Sequence, residues 1–388
     1  MTTACVIGAG LSGLSAAWCL AGRGVEVEVV EAAAGPGGLI HTRVSPFGLI
    51  ETAANAFVWT PTVQRWFDEL QITPCFPLPS SRARYIWRGG RLRRWPLTIT
   101  ETAALGLRLA GATVMGTRTP RPSESVQRWG HRVVGAAATR WLLGPALHGI
   151  YAAAPDGLSA PLVIGERRRG RRQQAAPPGG MGQFIERLHD RLVKRGVSFT
   201  FGRSVTSIDP RVPTVIATGA PAAARLIAPL APDLSVALAS VETLPLATAT
   251  AFFPPHPGDA RGLGVLFPRG AGVRALGVLF NSDIFPGRSQ VRSETWIYSG
   301  FEPGEDGSAA VAEDRRRLTG RSDEPLLVSV TAWAEAVPRY DEAILAVRRA
   351  LQHRPLTNLA VTGNFVGQIG VAGLLESAVG AVRSLCSP

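Results

Sequence analysis

ACVIGAGLSGLSAAWCLAGRGVEVEVVEA, residues 4–32, is the stretch on which the fold turns. An apolar run enters Gly8, Gly10 and Gly13 in GxGxxG spacing. A helical pattern follows through Leu14, Ala17, Trp18 and Leu20, and after Gly24 the alternating Val25, Val27 and Val29 end at Glu31. Strand, helix and second strand in this order make a βαβ unit. The glycines have separate tasks: Gly8 for the tight turn, Gly10 for close approach of backbone to a pyrophosphate, Gly13 for close packing of helix on strand. Residues Gly8, Ala9, Gly10, Leu11, Ser12 and Gly13 thus form a cradle at a helix N-terminus, where free N–H groups and the positive dipole end favour phosphate. Glu31, at the end of the second strand, is placed to accept hydrogen bonds from ribose hydroxyls.

The rest of the chain reads as globular: 388 residues, 46% apolar and 18% charged, with room for two or three domains. The formal charge of +12 is almost all arginine, Lys194 being the only lysine, which reads as coding bias rather than selection for a polyanion. No nucleic-acid partner is expected, whereas an anionic small molecule or membrane surface fits the charge. Cys5, Cys19, Cys75 and Cys386 lie far apart without a CxxC pair or histidine cluster, so neither a metal site nor a disulfide framework is expected, and a reducing cytosol fits. No charged leader or apolar h-region precedes the first strand. The longest stretch free of formal charge, 355–375, carries Asn358, Asn364, Gln368 and four glycines, which argues against a membrane span.

Further along, Gly179, Gly180 and Gly182 precede an amphipathic run through Phe184, Ile185, Leu188, Leu192 and Val193, and the alternating VSFTFGRSV follows Gly196. LAVTG (359–363) is another apolar strand, followed by Gly367, Gly370 and a helix from about Val371. Residues 100–150 read helical and 245–300 as β-rich, while the arginine run in GERRRGRRQQAAPPGG (165–180) reads as a solvated linker. The expected fold class is therefore α/β. It comprises a discontinuous Rossmann-type dinucleotide-binding domain (1–75, 175–225, 355–388), a mixed β-sheet substrate domain (76–100, 226–354) and a helical subdomain (101–174).

EAAAGPGGLIHT (31–42) adds the pair Gly37–Gly38 and resembles the FAD-binding N-terminus of the flavin amine oxidase superfamily, with Leu39 where a basic residue is usual. Other segments follow the order of one branch, the protoporphyrinogen and coproporphyrinogen oxidases of haem synthesis. IETAANAFVWTPTVQRWFDELQI (50–72) resembles its E-x-G-x-N-x-F strand and helix, and RYIWRGGRLRRWP (84–96) its arginine hairpin. LLGPALHGIYAAAPDGLSA (142–160) resembles its GIYAGDPxxLS signature, GVRALGVLFNSDIFPGRS (272–289) its LGxxFxSxxFPxR strand, and LAVTGNFVGQIGVAGLLESAVGAV (359–382) its closing flavin motif.

The resemblance implies non-covalent FAD held by Gly8 to Gly13, Glu31, Ala32, Gly38, Leu39, Ala53, Val205, Ile369, Gly370 and Val371. It implies oxidation of protoporphyrinogen IX to protoporphyrin IX, with oxygen as acceptor and hydrogen peroxide released; coproporphyrinogen III is the second substrate. The flavin carries the hydride, so neither a catalytic side chain nor a metal is expected. Arg84 is the expected propionate ligand, Asn55 is expected either near ring and flavin or as a bridge between backbone groups, and Gly149 is expected to let the macrocycle approach; Phe280 and Phe285 are candidate wall residues, with core packing the first reading for each. His41 and His148 read as structural. If Gly89–Gly90 is a two-residue turn, Arg84 stands opposite Trp95, with Arg88 and Arg91 solvated at the tip. A cytoplasmic protein is implied, with peripheral contact to the inner membrane face and homodimerisation left open; ETAALGLRLAGATVMG (101–116) offers a surface for such contact but reads more readily as a buried helix. Two departures stand out: Ala53–Ala54 where relatives have Gly-Pro or Gly-Ala, and a short link between VTSI (205–208) and VIATGAPAAA (215–224) where relatives carry a further hairpin. They keep a flavin-binding relative without turnover as the alternative.

Overall fold

Alternating valines set the strand Glu26–Val30 against Thr3–Ile7 as a parallel neighbour, Thr3 beside Glu26 and Ile7 beside Val30. Val27 and Val29 are buried in one core with the helix Leu11–Ala21. The computed structural model describes residues 3–165, 173–302, 304–353, 358–366 and 369–386; Gly367 and the arginine run of the linker lie outside them. These residues complete a five-stranded, all-parallel sheet in the order Leu359–Val361, Thr214–Ile216, Thr3–Ile7, Glu26–Val30, Ser198–Thr200. The helices Leu11–Ala21, Met181–Lys194 and Val371–Cys386 cover one face, and Ala220–Ile227, Pro232–Ala239 and Glu342–His353 the other. Because every strand points the same way, the segments that follow them emerge along one carboxyl edge, the edge at which open parallel sheets bind ligands. Residues 201–213, the shortened link, carry no strand.

The second sheet is seven-stranded, in the order Leu327–Pro338, Thr243–Phe253, Arg292–Tyr298, Gly277–Leu279, Gly264–Leu266, Arg84–Arg88, Arg91–Arg93, antiparallel except where Gly264–Leu266 meets Arg84–Arg88. Side chains alternate across it. Ala247, Ala249, Ala251, Val265, Val278, Trp296 and Tyr298 turn to a core closed by the helix Gly307–Thr319. By register, the opposite face carries Arg84, Ile86, Leu266, Leu279, Thr295, Ile297 and Thr248. That face meets the first half of the molecule: the Thr248 hydroxyl and the Trp333 indole N–H both donate to the Thr52 carbonyl, at 3.3 and 3.0 Å.

The helix Ile99–Val114 starts at a capping box between Thr98 and Glu101. It corrects the expectation of a buried helix at 101–116. Ile99, Leu107 and Val114 are 90%, 75% and 88% exposed, and among its residues only Ala112 is buried. Its packing partners, Val126–Val133 and Ala136–Ala138, are too short to cover sixteen residues.

Candidate active site

The glycine-rich turn follows the first strand at the carboxyl edge of the parallel sheet. Gly8 has φ +106°, and a Cβ there would lie 2.7 Å from the Ala217 carbonyl oxygen. A Cβ on Gly13 would fall 1.9 Å from the Gly8 carbonyl oxygen, so helix and strand touch backbone to backbone. At Gly10 a Cβ would project into space bordered only by Gly38, 3.9 Å away. Gly37 and Gly10 form a bridge, and the Gly37 N–H donates to the Ala9 carbonyl at 2.9 Å, which closes the second glycine pair over the first. Gly10 caps the helix without any side-chain hydrogen bond, leaving the first-turn amides of Leu11, Ser12 and Gly13 for an anion. Glu31 reaches back into the turn, accepting from the Ala9 N–H at 2.6 Å and the Ala33 N–H at 2.8 Å. A space that any side chain on Gly10 would fill, uncapped amides and a carboxylate at the ribose position together fit a dinucleotide.

The same edge gathers the other expected cofactor residues. Ala32 and Val205 leave the strands Glu26–Val30 and Ser198–Thr200, and Ile369, Gly370 and Val371 open the helix packed along Leu11–Ala21. Leu39 and Ala53 are brought together by the Thr52 hydroxyl, which donates to the Leu39 carbonyl at 2.8 Å.

A hub absent from the sequence reading sits beside them. Glu51 is 7% exposed and Arg288 3%, and they form a buried ion pair. Glu51 also accepts from the Thr42 hydroxyl at 2.7 Å and the Met181 N–H at 2.9 Å, and Thr42 in turn accepts from the Gly182 N–H at 2.7 Å. These bonds complete the N-terminus of Met181–Lys194, where Gly180 leaves no room for a capping side chain. Arg288 Nη2 extends to the Asn55 carbonyl at 3.4 Å, so one cation from the β-rich half fixes the backbone on which Asn55 is carried. Each residue stands in a quoted motif, Glu51 second in IETAANAF and Arg288 last in FPGR, but neither motif points to the other.

Arg84 is exposed on the face of the second sheet turned toward Thr52, and makes no ion pair among the described residues. It pairs with Gly264; two residues on, Leu266 Cδ2 lies 3.0 Å from where a Gly149 Cβ would stand. The structure therefore groups Arg84 with Leu266 and Gly149, and Asn55 with the hub. The hairpin departs from expectation in two ways. Gly89 and Gly90 both have positive φ, as a two-residue turn requires, but the ladder stops at Ile86 with Arg93. Beyond Pro96, which lacks a donor, the chain turns into its next helix, and Trp95 bonds the Thr102 hydroxyl at 2.8 Å instead of facing Arg84. Nor is Arg88 solvated: it holds Glu101 bidentately at 2.6 and 2.9 Å and stacks over Trp141. That guanidinium lowers the Glu101 carboxyl to about 2.

Phe280 and Phe285 are buried, Phe280 in the core behind the sheet and Phe285 beside Ile284 and Ala176, the core packing expected ahead of a place in the wall. His41 is tied to the Gly38 carbonyl at 3.0 Å. His148 lines a 440 Å³ cavity at the end of the sheet, and burial, then the charge of Arg269, lowers its pKa. Among the described residues no group of three or more His, Cys, Asp or Glu could hold a metal, and no helix is long and apolar enough to cross a membrane.

Comparison with known proteins agrees with this geometry. The chloroplastic protoporphyrinogen oxidase of Oryza sativa subsp. japonica is 26% identical over 463 aligned positions, covering 96% of this chain and 86% of that protein. Coproporphyrinogen III oxidase of Propionibacterium freudenreichii subsp. freudenreichii is 24% identical, with 96% and 88% covered. In fold, a protein from Exiguobacterium sp. 255-15 provisionally assigned as a protoporphyrinogen oxidase superposes with TM-score 0.81 at 18% identity, over 99% of this chain and 98% of that one. Cyclohexylamine oxidase from Brevibacterium oxydans IH-35A superposes with TM-score 0.75 at 17% identity, over 99% and 98%. The sequence profile of the flavin containing amine oxidoreductases matches residues 11–386. With that match along nearly its whole length, and a dinucleotide cradle at the edge of its parallel sheet, the chain belongs to the flavin containing amine oxidoreductase family, and FAD is its cofactor.

Proposed function

We propose that this chain oxidises a porphyrinogen to a porphyrin with oxygen as the final acceptor, protoporphyrinogen IX being the first substrate to test. The observation that carries the reading is Arg84: a cation free of ion pairs among the described residues, on a sheet face whose neighbours Ile86 and Leu266 are apolar and whose Leu266 abuts Gly149. Such a surface suits a ligand that is flat and apolar across its face and anionic at its edge. FAD, when bound, supplies the hydride acceptor. The chain's own part is to hold a carboxylate at Arg84, seat the macrocycle on the apolar surface where Leu266 meets Gly149, exclude water with the sheet, and steady Asn55 through Arg288. Arg88 is committed to Glu101 and adds no charge at the hairpin tip for coproporphyrinogen III. That second substrate is favoured instead by the basic cavity beside His148.

A cytoplasmic protein resting on the inner membrane face is part of the same proposal, supported by the exposed apolar side of Ile99–Val114 with Arg108 on the same helix. The activity is tested by anaerobic mixing of the FAD-loaded protein with each porphyrinogen, then admission of oxygen. Flavin bleaching followed by porphyrin fluorescence is the expected result. A flavin that neither substrate bleaches identifies a binding protein without turnover.

A further inference from the structure

We infer that the cavity between His148 and Arg269 is a second carboxylate subsite, taking the acid edge of a tetrapyrrole opposite the edge held by Arg84; this rests on the porphyrinogen reading above. The cavity continues the surface already described. Its residues Phe267 and Leu276 directly follow Leu266 and precede Gly277, and His148 precedes Gly149 on the helix Gly144–Tyr151. Three cationic or titratable groups border it with donors to spare. Arg269 is exposed and makes no ion pair among the described residues. Arg339 is bound to Glu242 through Nη2 at 2.7 Å, but its buried Nε–H has no partner among the described residues. His148 makes no hydrogen bond through its ring among the described residues and sits close enough to Arg269 to be repelled by it. Arg274, also in the wall, is neutralised by Glu305, and Asp156 is the acid present.

Spacing supports the assignment. Arg84 is level with Gly264, and Arg269 lies five residues beyond Gly264. The strand ends at Leu266, and at about 3.3 Å per residue even a fully extended chain from Gly264 to Arg269 spans no more than about 17 Å. That is the scale of a tetrapyrrole measured from acid edge to acid edge. Protoporphyrinogen IX carries its two propionates on one edge and vinyl groups on the other, whereas coproporphyrinogen III carries propionates on all four rings. Only the latter engages both ends, so the subsite selects for it.

The test compares kcat/KM for the two porphyrinogens in the FAD-loaded wild type, Arg269→Gln, and Arg23→Gln, an exposed arginine remote from the cavity that controls for net charge. Loss of one charge-assisted contact should lower the coproporphyrinogen-to-protoporphyrinogen ratio by about tenfold in Arg269→Gln. Arg23→Gln should leave it unchanged. An unchanged ratio in Arg269→Gln overturns the subsite while leaving porphyrinogen oxidation standing, as does a wild type that oxidises protoporphyrinogen alone. A flavin reduced by neither substrate overturns the porphyrinogen reading itself and the subsite with it.

Discussion

Arg288→Met deletes the cation from a carboxylate that stays buried. Glu51 is left with the Thr42 hydroxyl and the Met181 amide as donors. Removing one partner of a buried ion pair costs about 3–5 kcal/mol, and the two surviving hydrogen bonds place the expectation at the lower end, about 3 kcal/mol. For a chain of 388 residues, an unfolding entropy near 2.1 cal/mol/K per residue amounts to about 0.8 kcal/mol/K, so the melting midpoint should fall by about 4 °C. Adding Glu51→Gln removes the stranded charge, and the double variant should melt above Arg288→Met. The assay is thermal unfolding of the FAD-loaded protein by circular dichroism, with flavin release followed in parallel, since the hub completes a helix beside the cradle. If the single variant melts within about 1 °C of wild type, or the double variant costs the sum of both singles, the two side chains are not coupled and the reasoning fails.

Gly13→Ala should give a protein that does not retain FAD, because the new Cβ meets a backbone oxygen at 1.9 Å that cannot yield; flavin absorbance co-purifying at wild-type ratio would refute it. Arg84→Ala should raise KM for a porphyrinogen about tenfold or more with FAD content unchanged, and normal turnover would dismiss it as a substrate ligand. His148 has a lowered pKa, chiefly from burial, so on acidification the unfolded chain takes up its proton first and stability falls as pH drops below about 6.5. The melting temperature of wild type should therefore decline more steeply from pH 7 to 5 than that of His148→Gln, and equal slopes would contradict this. Leu107→Glu with Val114→Glu should abolish co-sedimentation with anionic phospholipid vesicles, and retention by the double variant would remove the membrane proposal.

The cradle was legible because its physics is local. Gly8, Gly10 and Gly13 act through backbone conformation and close approach, and Glu31 through the end of its own strand, so spacing alone carried them. Glu51 and Arg288 lie 237 residues apart, and nothing in either segment announces the other until the sheet is docked. The hairpin was half legible: Gly89–Gly90 specified the turn, but the point at which Trp95 leaves the ladder depends on the capping of the next helix. Exposure of Ile99–Val114 was not legible, since an apolar helix has one composition whether buried or bare, and only the shortness of its neighbours leaves it uncovered. Phe280 and Phe285 show the converse, aromatic residues in a substrate-domain motif for which core packing was the first expectation and is what the fold gives.

The parallel sheet is assembled from three segments far apart in the sequence, 3–30, 198–216 and 359–361, and this sets an order on its assembly. Leu359–Val361 forms one edge of the sheet, and Val371–Cys386 lies against the first helix. Until those residues have been made, the apolar side of Leu11–Ala21 lacks part of its cover and the carboxyl edge lacks one of its segments. Domains generally fold as units during synthesis, but the cofactor site here is divided across the polypeptide. FAD capture therefore waits for residues 359–386, and the apolar side of Leu11–Ala21 is partly bare until they arrive.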